Sequence, residues 1–493
     1  MTINPGKAGI SRWFIALSCL GVLPVLYPTY PPMVDLSQHV AAVMVLDEVH
    51  FGSYPFAHLF DFNWFRPYWF GYSLIWALSY LTGLVWAAKI VVAASVLGFI
   101  WSLAWLRREL NAPSLLDWLF LAVPFGFAYE WGFLNFLVCA PLGPLFLVHY
   151  HRFLEGKASG WSVMAWTLVL FFGHLLIVAF FCVTASAMAL RNLPAFPELV
   201  RRILPMTVSI PLALGWMLLN VEPRNISNPV VWNIDVSRLT RFFPDLFSLD
   251  YSLPQTAVAM TLVALPFLLG VRPRWRIDTV APGLFYVAFM LLAPSLVFDN
   301  LGTYERFQMF GLMFLVLLCR DARLIAPAFL ERMERLVVLL PGIVGIALLG
   351  RVAIKAYGFE QESADFRRML TYTEPHRRAL SLVEQRNSAF ARVPVYLHFP
   401  VWYQVEQQGL VDFNFAEWPS LNSFYRPAYR SGISSRLAWR PAEFDWEKHH
   451  ADNYDYFLVE GSEAFVTYIF RDDAHRVALR YQGRNWFLFE RIQ

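Results

Sequence analysis

Apolar residues in this chain are gathered into long blocks that short polar segments separate. Several of the blocks approach the ~20 apolar residues that a helix needs to cross a bilayer, and a soluble core does not require unbroken runs of this kind. The pattern therefore predicts a polytopic α-helical membrane protein with about eleven spans, at residues 13–31, 84–106, 114–128, 133–150, 161–173, 175–190, 203–220, 257–270, 279–297, 306–319 and 336–354.

The segments between the blocks divide by their content of Arg and Lys. Loops rich in these residues stay in the cytoplasm. This rule places the N-terminus inside, together with residues 107–108, 151–157, 191–202, 272–276 and 320–335. The last span then leaves the tail on the extracytoplasmic face.

Residues 67–82 do not fit this alternation as a span. Residue 66 is placed outside and residues 107–108 inside, which allows one crossing between them. The stretch is rich in Trp and Tyr, which favour the membrane interface, so we expect it to lie along the surface while residues 84–106 cross. The alternative, in which 67–82 span and Arg107 lies outside, stays open.

The tail differs from everything before it, because it is charged and its apolar period is mixed. It predicts a helix over 361–387, a strand over 394–399, a helix over 401–408, a strand over 456–459, and a hairpin of 477–480 with 486–489 that turns at 482–483. We therefore predict a membrane domain of residues 1–356 and a small C-terminal α/β domain of residues 357–493.

The composition is that of a membrane protein and argues against a nucleic-acid partner. Hydrophobic residues make up 57% of the chain and charged residues 16%, against about 25% charged in soluble domains. The net charge of +3 is too small to indicate a nucleic-acid partner. The four cysteines lie far apart in apolar segments, so we expect buried thiols rather than disulfides or a metal site.

Polar groups at the edge of a membrane bundle are costly and are therefore candidates for function. Asp35 and His39 follow the first span four residues apart, so they share one face of a helix. A carboxylate there can take a proton from an attacking hydroxyl or hold a divalent cation. The alternative is that Asp35 caps a helix over 36–48.

Two further candidates lie at predicted outer tips between spans. Glu130 and Asn135 flank the tip between the third and fourth spans, where Glu130 is either a second catalytic or metal-holding carboxylate or an acid that reaches the interface. His174 follows Gly173 within an apolar stretch, which predicts a tight hairpin with the imidazole in the site.

The last candidates are arginines and their neighbours. Asp299, Tyr304, Glu305 and Arg306 precede a helix on the outer side, and Arg is suited to bind phosphate at a low-dielectric site. The long loop 221–256 adds Arg238 and Arg241 as substrate-binding candidates of lower rank.

The order of these elements resembles the GT-C glycosyltransferases, membrane enzymes that use lipid-phosphate-linked sugars. The resemblance covers the layout of residues 13–356. Residues 67–108, from Pro-Tyr-Trp-Phe to Trp-Leu-Arg-Arg, look like the surface helix and second span of aminoarabinose- and mannosyltransferase-like members. The family resemblance implies that Asp35, in the first outer loop, is the catalytic base or a metal partner.

The chain departs from the family pattern at three places. Many members have paired acids in the first outer loop, where this chain has Asp-Leu-Ser-Gln-His. A divalent cation, Mg²⁺ or Mn²⁺, held by Asp35 and Glu130 is therefore an open alternative. Glu130 and Asn135 replace an Arg-x-x-x-x-Asp pattern, and Gly-His at 173–174 replaces a common Lys-Gly.

We therefore expect sugar transfer from a polyprenyl-phosphate donor to a glycan, lipid or protein acceptor, on the outer face of the bacterial cytoplasmic (inner) membrane. Asp35, aided by His39, would deprotonate the acceptor, while Arg306 and His174 hold the donor phosphate. Direct displacement would invert the anomeric configuration. Two other functions fit the sequence, a transporter or flippase for a lipid-linked glycan and a non-catalytic membrane scaffold.

Overall fold

The computed structural model describes residues 2–3, 9–64, 67–220, 230–297, 300–325, 334–417, 422–429 and 435–492. The α-helices in these ranges are Arg12–Leu20 (α1), Leu23–Leu26 (α2), Leu36–Phe51 (α3), Trp69–Thr82 (α4), Leu84–Glu109 (α5), Phe127–Trp131 (α6), Leu134–Cys139 (α7), Leu142–Leu154 (α8), Gly160–Gly173 (α9), Leu175–Met188 (α10), Phe196–Ile203 (α11), Ser209–Asn220 (α12), Ser237–Asp245 (α13), Leu253–Leu268 (α14), Ile277–Leu292 (α15), Gly311–Leu318 (α16), Glu334–Leu370 (α17), Trp402–Gln407 (α18), Ser435–Trp439 (α19) and Glu463–Ile469 (α20).

The β-strands are fewer and shorter. In chain order they are Thr2–Ile3 (β1), Phe60–Phe62 (β2), Val230–Val231 (β3), Val271–Arg272 (β4), Leu296–Val297 (β5), Asn300–Leu301 (β6), Arg323–Ile325 (β7), Arg378–Val383 (β8), Leu410–Val411 (β9), Ser423–Tyr425 (β10), Tyr456–Glu460 (β11), Val477–Gln482 (β12) and Trp486–Arg491 (β13).

Within the described ranges, three helical stretches are long and apolar enough to cross a bilayer. They are Leu84–Glu109, Leu134–Leu154 and Leu339–Leu370. Shorter apolar helices cover Arg12–Leu26, Gly160–Gly173, Leu175–Met188, Leu253–Leu268 and Ile277–Leu292. Other predicted spans contain 3₁₀ segments, such as Ser114–Leu121 and Glu305–Phe310. The predicted α-helical class is confirmed, and the count of eleven spans stays a prediction.

The chain forms two compact units, which do not follow the order of the sequence. The first, called the membrane unit, comprises Met1–Leu23, Val92–Tyr129 and Asn135–Ala353. The second, called the outer unit after the location that the sequence predicts for its tail, comprises Pro24–Val91, Glu130–Leu134 and Ile354–Gln493. The division at 356 and 357 that the sequence predicts stays a prediction, and helix α17 continues across it without a break.

Aromatic rings and buried ion pairs hold the membrane unit together. The ring of Phe180 lies 4.5 Å from that of Phe307 and 5.7 Å from that of Phe310, measured between centroids. Arg107 and Asp117 form a buried ion pair of 2.7 Å. Such charges are tolerated in an apolar bundle because each neutralises the other.

A five-stranded sheet forms the core of the outer unit. Its order is β12-β13-β11-β8-β9, with β11, β8 and β9 parallel and the β12–β13 hairpin antiparallel. Every residue of β11 is buried, as expected for a strand with neighbours on both sides and helices over its faces. The predicted strand at 456–459 and the predicted hairpin are confirmed, as is the helix predicted at 401–408.

Two other predictions for the tail are wrong, the first of them in part. The helix predicted over 361–387 is present as far as Leu370, where α17 ends, but residues 378–383 are strand β8. Pro375 cannot continue a helix, and pairing with β11 decides the conformation that follows. The strand predicted over 394–399 is a series of turns that runs into a 3₁₀ helix at Phe399–Val401, because Pro394 and Pro400 have no N–H to donate to a ladder.

The first outer loop folds together with the tail inside the outer unit. Strand β2 pairs antiparallel with β10, so that Phe60 lies opposite Tyr425. Met44, Tyr54, Phe60, Leu410 and Tyr425 belong to one buried apolar cluster. The stretch predicted to lie on the surface is helix α4, which Gly83 with φ +77° separates from α5, and its Trp76 and Tyr80 donate to Asp47 on α3.

Asp365 on helix α17 anchors the turn of the β12–β13 hairpin. Its carboxylate accepts hydrogen bonds from the Tyr481 hydroxyl at 2.7 Å and from the backbone N–H groups of Asn485 and Trp486 at 3.0 and 3.1 Å. An Asp365→Ala substitution leaves one buried and two partly buried donors unpaired, so we expect it to lower the free energy of unfolding by about 2–3 kcal/mol. Thermal unfolding of purified protein measures this, with exposed Asp472→Ala as the control. Equal midpoints for the two variants would contradict this role.

Candidate active site

Asp35 occupies the N-cap position of helix α3, but its side chain does not cap the helix. The side chain makes no cap hydrogen bond. Instead, its Oδ1 accepts a hydrogen bond from Nδ1 of His398 at 2.9 Å, and both side chains are about nine-tenths buried. Oδ2 makes no hydrogen bond to any described residue. The capping interpretation does not account for this carboxylate, which has one oxygen held and one available.

The backbone around Asp35 is fixed by the segment 130–132. Val34 N–H donates to the carbonyl of Glu130 at 2.9 Å, and Asp35 N–H donates to that of Trp131 at 3.0 Å. Gly132 has φ +76°, and a Cβ there would lie only 2.9 Å from the Leu36 nitrogen. Because only glycine tolerates both conditions, the segment can pack directly against the first turn of α3.

Glu130 is paired rather than exposed at an interface. Its Oε2 accepts from Nε of Arg392 at 2.8 Å, and both side chains are more than nine-tenths buried. The alternative in which Glu130 only reaches the membrane interface does not fit this geometry. The structure brings Glu130 and Asp35 into one unit, since the Glu130 carbonyl bonds the residue before Asp35.

His39 lies near Asp35, but its Nδ1 hydrogen-bonds the hydroxyl of Tyr72 on helix α4 at 2.8 Å. Burial lowers the pKa of His39 to about 4, and the charge of Asp35 only partly opposes this. His39 is therefore neutral at physiological pH. The partner that Asp35 contacts is His398, not the His39 that the sequence indicated.

Sequence reasoning missed His398 and Arg392. A signal for His398 was present, because it stands in the apolar and aromatic run from Val395 to Tyr403 as His174 stands in its own apolar stretch. No comparable signal marks Arg392. Its partner lies 262 positions away in the chain, a separation that no local pattern spans.

Within the membrane unit, His174 and Arg306 share one aromatic neighbour. His174 is the single extended residue between helices α9 and α10, as the predicted break requires. Its ring meets that of Phe136 edge-on at 5.3 Å, and the Arg306 guanidinium lies 5.8 Å from the same ring. Arg306 also donates from Nε to the Gly302 carbonyl at 2.9 Å, which stiffens its own loop. Asn135, beside Phe136, is buried.

Arg238 is placed by helix α13 against the end of helix α15. Its Nη1 donates to the carbonyls of Leu291 at 3.0 Å and Ala293 at 2.7 Å, where a cation complements the helix dipole. The guanidinium lies 4.0 Å from the ring of Tyr304. Nη2 is buried and has no hydrogen-bond partner among the described residues, so it offers a donor to an anion.

Glu305 and Arg241 complete this group. Burial raises the pKa of Glu305 to about 7, although Arg238 and Arg306 oppose the shift, so near neutral pH it neutralises the arginines only in part. Burial likewise raises the pKa of Tyr304 to about 12. Arg241 is exposed, with its guanidinium 5.4 Å from the Tyr251 ring. Asp299 and residues 221–229 of the long loop lie outside the described residues.

The side chains in the described ranges do not form a metal cage. No group of three His, Cys, Asp or Glu there has the geometry to hold an ion. The carboxylates of Asp35 and Glu130, the predicted ligands, are each bound to a basic side chain. Mg²⁺ or Mn²⁺ therefore stays a prediction and enters no step of the chemistry proposed below.

Comparison with solved structures gives the fold a counterpart. The crystal structure of ArnT from Cupriavidus metallidurans bound to undecaprenyl phosphate matches with a TM-score of 0.55 at 13% identity, over 97% of each chain. The chain has the fold of ArnT. The apo-state ArnT structure matches with a TM-score of 0.48 at 11% identity, over 97% of this chain and 98% of that one.

The match to undecaprenyl-phosphate-bound ArnT confirms, at the level of the fold, the layout that the family resemblance in the sequence implied. No protein-family model matches the sequence, and no curated protein matches it significantly. The roles of individual side chains in this chain therefore stay predictions.

The Glu130–Arg392 pair gives a test of how the outer unit is held together. Removing one partner leaves the other charge buried, so Glu130→Gln and Arg392→Met should each cost about 3–5 kcal/mol. We expect the double variant to lose clearly less free energy of unfolding than the two single variants lose together. Thermal unfolding of the four proteins completes the cycle, and additive losses would mean that the pair contributes no coupling.

The neutral state of His39 predicts a pH dependence of stability. Its folded pKa of about 4 lies below the ordinary 6.5, so the unfolded chain binds the proton first as pH falls. The contribution of neutral His39 to the free energy of unfolding is fully present above pH 6.5. It is lost as the pH falls towards 4, and the total loss is about 3 kcal/mol. His39→Gln should remove that part of the slope. Unfolding midpoints of both proteins between pH 4 and 7 measure it, and parallel curves would refute the assignment.

Proposed function

We propose that the protein is a membrane glycosyltransferase that moves a sugar from a polyprenyl-phosphate donor to a hydroxyl of a glycan, lipid or protein. The observation that carries the proposal is the Asp35 carboxylate, whose Oδ1 is held by His398 while Oδ2 makes no hydrogen bond to a described residue. The ArnT fold supports the same chemistry. A buried, oriented carboxylate is suited to general-base catalysis.

Asp35 acts as the base in a single displacement. Its Oδ2 takes the proton of the acceptor hydroxyl, and the hydroxyl oxygen bonds to the anomeric carbon of the donor sugar. The bond from that carbon to the phosphate oxygen breaks, and its electron pair leaves on the polyprenyl phosphate. The proton then passes from Asp35 to solvent. Attack opposite the leaving group inverts the anomeric configuration.

The arginines of the membrane unit bind the donor phosphate. Arg238 has a buried Nη2 without a hydrogen-bond partner in the described residues, and Arg306 shares the Phe136 ring with His174. Guanidinium groups in low dielectric bind phosphate strongly. Tyr304, Glu305, Asn135 and Arg241 contribute contacts to the substrate, while Glu130 supports the loop that carries Asp35.

The topology completes the proposal. Eleven spans place the N-terminus in the cytoplasm and the C-terminal α/β domain outside the bacterial inner membrane, with helix α4 on the membrane surface. The base then works on the face where a lipid-linked donor in the outer leaflet is accessible. No nucleotide is needed, because the phosphate ester of the donor supplies the driving force.

The test is transfer of radiolabelled sugar from a panel of polyprenyl-phosphate donors, with membrane extract as the acceptor. We expect Asp35→Asn to lower turnover about 10²–10⁴-fold while donor binding is kept. Asp365→Asn is the matched control, because it alters another buried carboxylate of the outer unit. It should lower the unfolding midpoint and leave turnover per folded molecule unchanged.

Other outcomes point to the alternative functions. Donor binding without turnover, equal in wild type and Asp35→Asn, would favour a transporter or flippase. An absence of donor binding in every protein would favour a scaffold. Turnover that Asp35→Asn leaves intact would remove Asp35 as the base.

A further inference from the structure

We infer that the tail supplies a positioning residue for the base, and that this residue is His398. The inference rests on the proposed function of Asp35. It assigns the tail a part in catalysis. Its basis is a set of contacts that joins the first turn of helix α3 to two segments of the tail, residues 398 and 413–415, all within the outer unit.

The contact itself is short and sheltered from water. Nδ1 of His398 lies 2.9 Å from Oδ1 of Asp35, and the two side chains are 9% and 11% exposed. A carboxylate accepts here, so the imidazole donates. Hydrogen bonds to charged groups strengthen in low dielectric, which makes this bond able to fix the plane of the carboxylate.

His398 is itself restrained, both through its backbone and through its ring. The carbonyl of His398 accepts from the Ser37 hydroxyl at 2.7 Å. The rings of Phe413 and Phe415 lie 5.5 and 5.6 Å from the imidazole. Because backbone and ring are both restrained, His398 has little freedom to turn away from Asp35.

Gln38 hydrogen-bonds residues 413–415 to the first turn of helix α3. Its Nε2 donates to the Phe413 carbonyl at 3.3 Å, and its Oε1 accepts from the Phe415 N–H at 2.9 Å. Gln38 is 1% exposed, so these bonds replace the water that the amide would otherwise need. Asp35, Ser37 and Gln38 thus each contact the tail through a different group.

The bond to Oδ1 orients the base. It points Oδ2 in a fixed direction, which favours reaction by removing motion of the carboxylate. Among the described residues near the pair, His39 is neutral and bonds Tyr72, and Glu130, whose carbonyl bonds the residue before Asp35, is neutralised by Arg392. No other basic side chain among the described residues hydrogen-bonds Asp35.

Three variants test the assignment. His398→Ala removes the donor, His398→Asn keeps an N–H near the position of Nδ1, and His475→Ala changes an exposed histidine of the tail as the control. Two quantities are measured on the full-length protein in detergent. One is the kcat and donor KM of sugar transfer, and the other is the extent to which a hydrophobic carbodiimide labels Asp35 at a single pH, which mass spectrometry determines.

Carbodiimide reacts with the protonated carboxyl group and needs no turnover. Because the bond to His398 occupies Oδ1 and restrains the carboxylate, we expect His398→Ala to increase the labelling of Asp35 and to lower kcat about 10- to 100-fold, with the donor KM unchanged. His398→Asn should restore most of kcat and bring the labelling back towards the wild-type extent. His475→Ala should match wild type in both.

The inference is overturned if His398→Ala, or His398→Asn should the alanine variant not fold, shows wild-type labelling of Asp35 together with a wild-type kcat. It is also overturned if both variants lose kcat equally, because a merely structural role would not distinguish them. Wild-type protein that transfers no sugar, while labelling still responds to His398→Ala, would overturn the proposed reaction and support the Asp35–His398 pair.

Discussion

The cost of burying a carboxylate governs the architecture of the outer unit. Asp35 and Glu130 are both removed from water, and an unpaired charge in such a place would cost several kcal/mol. Each finds its partner in the tail, Asp35 in His398 and Glu130 in Arg392. The two bonds therefore require the tail to fold onto the segments that carry the acids, and the rest of the unit is consistent with that requirement.

The sheet and the apolar cluster of the outer unit serve the same end. Strand β8 is the next strand after the long helix α17, and its neighbour β9 leads into the segment 413–415 that contacts the first turn of α3. Soon after β9, Phe413 and Phe415 form the backbone hydrogen bonds with Gln38. Pairing of β2 with β10 fastens the opposite end of the first outer loop. The loop is thus held at both ends by the tail.

Local patterns in the sequence predict those parts of the molecule that local forces determine. The helix after Asp35, the break at His174 and the hairpin at the end of the chain follow from spacing, glycine and apolar period. The sequence also indicates Asp35 and Glu130, because acids at the edges of apolar blocks are conspicuous. The local pattern predicts helix at 378–383, where the structure has a strand, because that conformation depends on pairing with a strand almost eighty residues later. His398 and Arg392 depend on partners more than 260 positions away.

The pairing of β2 with β10 forms only late in synthesis. Residues 60–62 leave the ribosome long before residues 423–425 exist, and at roughly 5–20 residues per second the interval is on the order of 20–70 s. During that time the first outer loop has an unpaired strand edge and an uncovered aromatic face. Such surfaces invite wrong partners. A cell that makes this protein must therefore shield the loop until the end of the chain arrives, or accept that a truncated chain is an aggregation hazard.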